Sequence, residues 1–428
     1  MTRTFVLRQA SSAILAANAI RPVPGMPLSV PVFMSGWLTA ELAPQLLALT
    51  ATDSAIHVAR HGIRSRSDKV GLLLSTAAVA ALSSVIATGR GAAHECESAL
   101  REELGEDYAE RDGKIARAGL SAWRRIYDPF WMRRKGVTRV RNLRYAPGGR
   151  RFRLNIYHRD DVPSDAPVLF QIHGGGWVIG SKDQQGIPLM LEMASRGWVC
   201  VSINYPLSPR AVWPAHLIAA KQALAWVRAN IGRYGGDPDF IAVTGGSAGG
   251  HLTAMMGLTP DAPELQPGFE NTSTAVHACV PHYGVYDMAG DTGIKPVLQR
   301  VKSGLMPMVL GKNAKFPDDY RAASPLAHLR ADAPPFFVLH GRSDSFIPVA
   351  EARVFVEKLR EASDNPVAYA ELRGAQHAFD VFPSIRSAAV VQAVGRFLEW
   401  AYRTRDQREP ENRESVAEAV QLRDTDGG

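Results

Sequence analysis

Between residues 137 and 404, short apolar runs alternate with helical periodicities, and no other feature of the chain restricts its fold as severely. The runs are Val168–His173, Val199–Tyr205, Phe240–Thr244, Val276–His282, Phe336–His340 and Val367–Leu372. Apolar runs of this length suit strands buried on both faces. Between them lie helical stripes such as Leu217, Ala220, Leu224, Val227 and Ile231, spaced three or four residues apart. This alternation predicts an α/β fold with a mostly parallel central sheet flanked by helices. Ahead of it, Arg139–Tyr145 and Phe152–His158 flank a Pro147-Gly148-Gly149 turn and read as a β-hairpin.

Composition excludes several classes. With 46% hydrophobic and 21% charged residues over 428 positions, the chain is neither disordered, collagenous nor a disulfide scaffold. Its three cysteines, Cys96, Cys200 and Cys279, are scattered and form no CxxC, which argues against a structural zinc site or disulfide framework. Cys200 lies in the apolar run 198–201 and reads as a buried thiol. The net charge of +7 is uneven, because residues 1–150 hold 21 Lys/Arg against 12 Asp/Glu and the remainder is slightly acidic. Eleven basic residues face one acid, Asp128, between Lys114 and Arg150. A solvated basic face explains this run, and attraction to anionic lipid headgroups is the sharper reading. No nucleic-acid-binding motif accompanies it.

Residues 1–135 read as a helical, partly apolar N-terminal region, either a cap or a membrane-associating segment. Val70–Gly89 holds twenty residues without a charge, long enough to cross a bilayer as a helix. Leu28–Ala51 is apolar except for Glu41 and is interrupted by Pro31 and Pro44. Both segments also fit core helices or a lid on a second domain. A span by Val70–Gly89 alone places the downstream domain outside by the positive-inside rule, and two spans invert that. The first twenty residues make a poor signal peptide, because Ser11, Ser12 and Asn18 interrupt the apolar run. The polar stretch 405–428 reads as a disordered tail.

Chemistry concentrates at the ends of the apolar runs. Gly245-Gly246-Ser247-Ala248-Gly249 follows Phe240–Thr244, and a serine on a sharp strand-to-helix turn needs small neighbours to permit that turn. His173-Gly174-Gly175-Gly176-Trp177 ends an earlier run, and its glycines leave backbone N–H groups free to hold an oxyanion. A serine nucleophile needs a base and an orienting acid, in the chain order Ser, Asp/Glu, His on this architecture. Asp344 follows the run Phe336–His340, and His377 follows Val367–Leu372, so both fall on loops at strand ends. His340 is a rival base within its strand, and Asp380 and Glu351 are weaker acid candidates. His57 and His61, four apart, have metal-ligand spacing without a third ligand nearby, and a solvated or interface pair is the simpler reading.

Residues 137–404 resemble the α/β-hydrolase fold, and within it the bacterial hormone-sensitive-lipase-like carboxylesterases. The matching pieces are HGGGW at 173–177, Asn204-Tyr205-Pro206-Leu207-Ser208-Pro209, Trp213-Pro214-Ala215, Gly235-Gly236-Asp237-Pro238, GGSAGG at 245–250, Ala323-Ser324-Pro325-Leu326, Asp344 and His377. The resemblance implies a serine esterase with a Ser247–His377–Asp344 triad. It implies an oxyanion hole from Gly175, Gly176 and Ala248, with His173 and Gly174 in the same loop, and no metal or organic cofactor. It also implies a small-molecule acyl ester as substrate and an N-terminal cap over the acyl pocket. Gly246 stands where many members carry Asp or Thr, Arg210 where an acid is common, and Lys221 where Asp is usual. These departures lean toward relatives that include formamidase-type amidases, so amide hydrolysis is a second reading on the same fold. A non-catalytic membrane-tethered binding protein is a third, from a different class. The apolar N-terminal extension resembles that of membrane-associated actinobacterial esterases.

Overall fold

A computed structural model describes residues 2–22, 29–109, 130, 132–161 and 164–408. Residues 114–129 and 131 of the basic run 114–150, and the tail from 409 onward, lie outside these residues. Among them, eight strands form a single sheet: β1 Val137–Arg144, β2 Arg153–Arg159, β3 Ala166–Ile172, β4 Val199–Ile203, β5 Gly236–Gly246, β6 Ala278–His282, β7 Phe336–Gly341 and β8 Val367–Leu372. Their spatial order is β1-β2-β4-β3-β5-β6-β7-β8. The hairpin β1–β2 and the β2–β4 pair are antiparallel, and the pairs from β4 onward are parallel. Each apolar run of the sequence is a strand of this sheet.

Side chains alternate between two cores because successive strand residues face opposite ways. Val168, Phe170 and Ile172 of β3 join one cluster and Leu169 the other; Ile241 and Val243 of β5 oppose Phe240 and Ala242. The first face is covered by α6 (Ala215–Asn230), α7 (Ala248–Leu258) and α8 (Val349–Ala362), through Leu224, Leu252 and Phe355 among others. The second is covered by α5 (Ile187–Ser195) and α9 (Ile385–Arg403), through Met190 and Phe397. Cys96, Cys200 and Cys279 are buried free thiols.

The N-terminal region comprises α1 (Thr2–Ile20), α2 (Ser29–Glu41), α3 (Ala43–His61) and α4 (Arg66–Leu104). α4 is capped by a reciprocal box in which Ser65 and Asp68 each bond the other's backbone amide. Its first half packs on α1 and α3 through aliphatic residues, Leu82 and Val85 against Ala16 and Ala43. Its second half enters the sheet's own core, where Ala92, Cys96, Ala99 and Leu100 join Val394, Phe397 and Leu372. The last turns of α4 thus serve as a flanking helix of the α/β sheet. The apolar stretch Leu28–Ala51 does not form one straight segment, because α2 and α3 meet at 82° beside Leu42, where Pro44 opens α3. Val70–Gly89 lies inside α4, which is long and apolar enough to cross a membrane and has 28% of its most apolar window buried. Arg405–Arg408 is helical rather than the start of a disordered tail, and Arg405 stacks over the Tyr402 ring at 4.0 Å.

Candidate active site

The order of strands places the site. β3 connects to β4 on one side while β5 lies on its other side, so the connections leaving β3 and β5 diverge. A crevice opens at such a switch point beyond the carboxyl ends of parallel strands. The glycine loop after β3 and the serine turn after β5 both border it.

Ser247 occupies φ 60° and ψ −120°, between the end of β5 and the first residue of α7. Such a backbone is costly for a non-glycine residue and persists only where the surroundings enforce it. Here they do. A Cβ on Gly245 would stand 2.6 Å from Gly249 O, and one on Gly249 would stand 2.1 Å from Ile172 O. The Ser247 amide donates to His282 O at 2.9 Å, and His251 N returns to Ser247 O at 2.9 Å as α7 begins. The positive end of that helix faces the serine.

Gly246, a departure from the family pattern, has a local explanation. A Cβ there would lie 2.6 Å from Tyr283 Oη and 2.7 Å from its ring. The tyrosine fills the space that a side chain at 246 would need.

The glycine loop lies against the serine, since a Cβ on Gly174 would stand 3.1 Å from Ser247 Cβ. Gly175 and Gly176 adopt φ 114° and 57°, a region that admits glycine readily. The Gly174 amide is engaged with Gln185 Oε1 at 2.7 Å. His173 is a buried support for the loop: its ring stacks on Tyr205 at 4.4 Å, and its carbonyl accepts the Tyr205 hydroxyl at 2.9 Å. Burial pushes the His173 imidazole down to about 4, so it is neutral at physiological pH. Ala248 is buried at the first position of α7.

Asp344 and His377 meet across two loops. His377 Nδ1 lies 2.7 Å from Asp344 Oδ2, with the carboxylate fully buried. Asp344 Oδ1 accepts the amides of Phe346 and Ile347 at 2.8 and 2.7 Å. Burial alone would raise the Asp344 carboxyl. The charge of His377 and contacts from His340 and His377 outweigh it and hold the group well below the usual carboxylate range. Gln376 ties the loops together, accepting the amides of Ser345 and His377 and donating to Ser345 Oγ at 3.0 Å.

Three rings surround the His377 imidazole: Tyr283 at 4.6 Å, Phe346 at 5.3 Å and Phe33 of α2 at 5.5 Å between centroids. Tyr283 therefore touches both the turn that carries Ser247 and the ring of His377. Gln376, Tyr283 and Phe33 were not found by sequence reasoning. Gln376 adjoins His377 and was open to suspicion, but nothing local distinguishes Tyr283 or Phe33 from core aromatics.

The rival residues have other partners. His340 is buried in β7, with Nε2 3.1 Å from Ile347 O and 3.4 Å from Asp344 Oδ2, behind the acid. Glu351 is a buried structural carboxylate that takes Arg300 and the amides of Tyr286 and Asp287, each at 2.8 Å. Asp380 pairs with His282, Nδ1 to Oδ2 at 2.6 Å. His57 contacts Asp68 at 2.9 Å and stacks between Phe5 and His61, so it is a satisfied buried histidine. Among the described residues no group of three or more His, Cys, Asp or Glu is arranged to hold a metal.

The fold and the strand-end loops define an α/β-hydrolase. Comparison with known proteins gives the same result in sequence. The BD-FAE family profile matches residues 154–359. The chain is 46% identical over 74% of its length, and 74% of the relative's, to the Mycobacterium tuberculosis protein named "Probable carboxylic ester hydrolase LipM". It is 38% identical to esterase LipQ of the same organism, over 86% of this chain and 83% of that one. A solved Thermogutta terrifontis esterase with butyrate bound is 25% identical, with a TM-score of 0.51 over 62% of this chain and 94% of that one. The chain belongs to the α/β-hydrolase carboxylesterases and is a carboxylic ester hydrolase.

Proposed function

We propose that the protein cleaves small acyl esters through a Ser247–His377–Asp344 triad and a covalent acyl-enzyme. The observation that carries this reading is the buried 2.7 Å His377–Asp344 pair, whose imidazole shares Tyr283 with the strained turn bearing Ser247. In the first half-reaction Ser247 Oγ attacks the ester carbonyl carbon while His377 Nε2 takes its proton. Asp344 holds the Nδ1–H tautomer and balances the imidazolium. The carbonyl oxygen gains the negative charge, which the amides of Gly175, Gly176 and Ala248 stabilise. Collapse breaks the bond to the alcohol, which leaves with the proton from His377. Water then attacks the acyl-serine by the same route, releasing the acid and restoring the serine.

The named esterases among the relatives favour esters over amides, and matched ester and amide substrates separate the two. The N-terminal helices supply a wall of the site through Phe33, and we assign them contact with a lipid surface as well. Their exposed side chains include Leu7, Ile14, Leu49, Ile56, Val70 and Leu73, beside Arg60, Arg64, Arg66 and Lys69, a combination suited to an anionic interface. Flotation of the full chain with anionic vesicles tests this contact, and protein left wholly at the bottom of the gradient refutes it. The catalytic reading is tested with Ser247→Ala, which is expected to lose fluorophosphonate labelling and turnover of a p-nitrophenyl ester. Wild-type turnover by that variant would refute it.

A further inference from the structure

A second carboxylate–imidazole pair lies beside the proposed triad and takes no part in the steps above. Asp380 is three residues beyond His377 on the loop after β8. Its Oδ2 is 2.6 Å from His282 Nδ1, and its Oδ1 accepts a hydrogen bond from the Tyr283 hydroxyl. His282 and Tyr283 are 3% exposed. Burial disfavours the Asp380 charge, but the charge and contact of His282 and the Tyr283 hydroxyl outweigh this and keep its carboxyl below the ordinary value.

Contacts of this group reach both segments that must meet for the reaction. The His282 carbonyl receives the Ser247 amide at 2.9 Å. The Tyr283 ring lies where a side chain at Gly246 would be and against the His377 ring. Tyr283 itself holds φ 37°, an uncommon backbone for an aromatic residue. Asp380 fixes the phenol end of that ring to the loop that carries His377. The serine turn and the imidazole loop are thus linked directly, by a route that does not pass through Asp344.

We propose that Asp380, with His282 and Tyr283, is a positioning group for ester hydrolysis that sets the separation of Ser247 from His377. This rests on the triad reading. Asp380 and His282 take no part in the proposed bond-making steps, so their loss is expected to disturb the reacting geometry and leave the substrate-binding walls in place. Small misplacements of reacting groups cost about 10²-fold in rate.

The test uses the full chain, with active sites titrated by a fluorophosphonate so that rates refer to folded enzyme. Asp380→Asn is expected to lower kcat on a p-nitrophenyl ester by about 10- to 10²-fold with KM within about twofold. Tyr283→Phe keeps the ring, loses one hydrogen bond, and is expected to lower kcat by about threefold or more, again without a change in KM. Parental kcat per titrated site in both variants, or a loss seen only in melting temperature, overturns the proposal. If Asp380→Asn does not fold, Tyr283→Phe alone decides. Ser247→Ala run in parallel separates the two claims. Turnover by Ser247→Ala refutes the triad, whereas an inert Ser247→Ala beside fully active Asp380→Asn and Tyr283→Phe refutes only the positioning role.

Discussion

The ring of Phe33 stands edge-on to the imidazole of His377, with centroids 5.5 Å apart and planes at 80°. Phe33 belongs to α2, more than three hundred residues away in the chain. The same helix sets Trp37 against Phe382 at 5.5 Å and Phe33 against Phe346 at 5.7 Å. An apolar N-terminal helix therefore forms one side of the site's aromatic wall and shields the imidazole from water.

Replacing Phe33 by Ala removes that shield and enlarges the space beside His377. The expected result is a shift of acyl-chain preference toward longer chains, by about tenfold in the ratio of kcat/KM for octanoate over butyrate p-nitrophenyl esters. One methylene in an apolar pocket is worth about 1–3 kcal/mol. An unchanged chain-length profile would show that α2 does not bound the acyl site.

On the proposed triad, Asp344→Asn preserves shape and removes the charge that orients His377. By analogy with other triads, kcat is expected to fall by about 10⁴-fold, and fluorophosphonate labelling is expected to slow in parallel. Stopped-flow labelling of both proteins measures this. A decrease of less than tenfold would assign the orienting role elsewhere.

The end of α2 is fixed by a buried ion pair. Glu41 accepts Arg386 and the Ser384 hydroxyl, the latter at 2.6 Å, and both charged side chains are 1% exposed. Burial raises the Glu41 carboxyl against the opposing charge of Arg386. Glu41→Ala leaves the arginine buried and unpaired, which costs about 3–5 kcal/mol, read as a lower urea midpoint. The double variant Glu41→Met/Arg386→Met is expected to recover most of that loss. If the double variant is no more stable than the single one, the pair does not account for the loss.

Lys221 gives a pH dependence with a definite sign. Buried on α6, its Nζ donates to Thr259 O and to Thr274 Oγ1 at 2.9 Å. Burial pushes it down from 10.5 to about 8, with Asp261 and Glu264 opposing. Below about 8 both folded and unfolded chains hold the proton, and the buried charge weakens the fold in full. Between about 8 and 10.5 only the unfolded chain retains it, so native stability rises with pH across that window. Relative to Lys221→Met, the wild-type urea midpoint is expected to gain between pH 7 and pH 10. A constant difference would place the titration outside this range.

The apolar runs and the strand-end loops were legible because they are local. A strand buried on both faces has to be apolar throughout, and a serine on a strained turn has to have glycine neighbours, so Val168–His173 and Gly245–Gly249 carry their own signatures. The HGGG loop, Ser247, Asp344 and His377 could each be named from such signals. The contacts of Tyr283, Gln376, Asp380 and Phe33 could not, because each is made with a residue distant in sequence. The placing of Asp380 is the plainest case: beside His377 in the chain it resembles a spare acid, and in three dimensions it faces His282.

The alternation of apolar runs and helical stripes by itself determined a parallel α/β sheet, since burial on both faces dictates residue type position by position. Only the tertiary structure decided that α4 begins among the N-terminal helices and ends in the core of the sheet. It also decided that α2 and α3 meet at 82° and that Phe33 of α2 lies against His377. Helical pattern fixes which face of a segment is apolar. Which other apolar face it covers is chosen by packing among the whole set of surfaces, and that choice is not encoded in any single window of the chain.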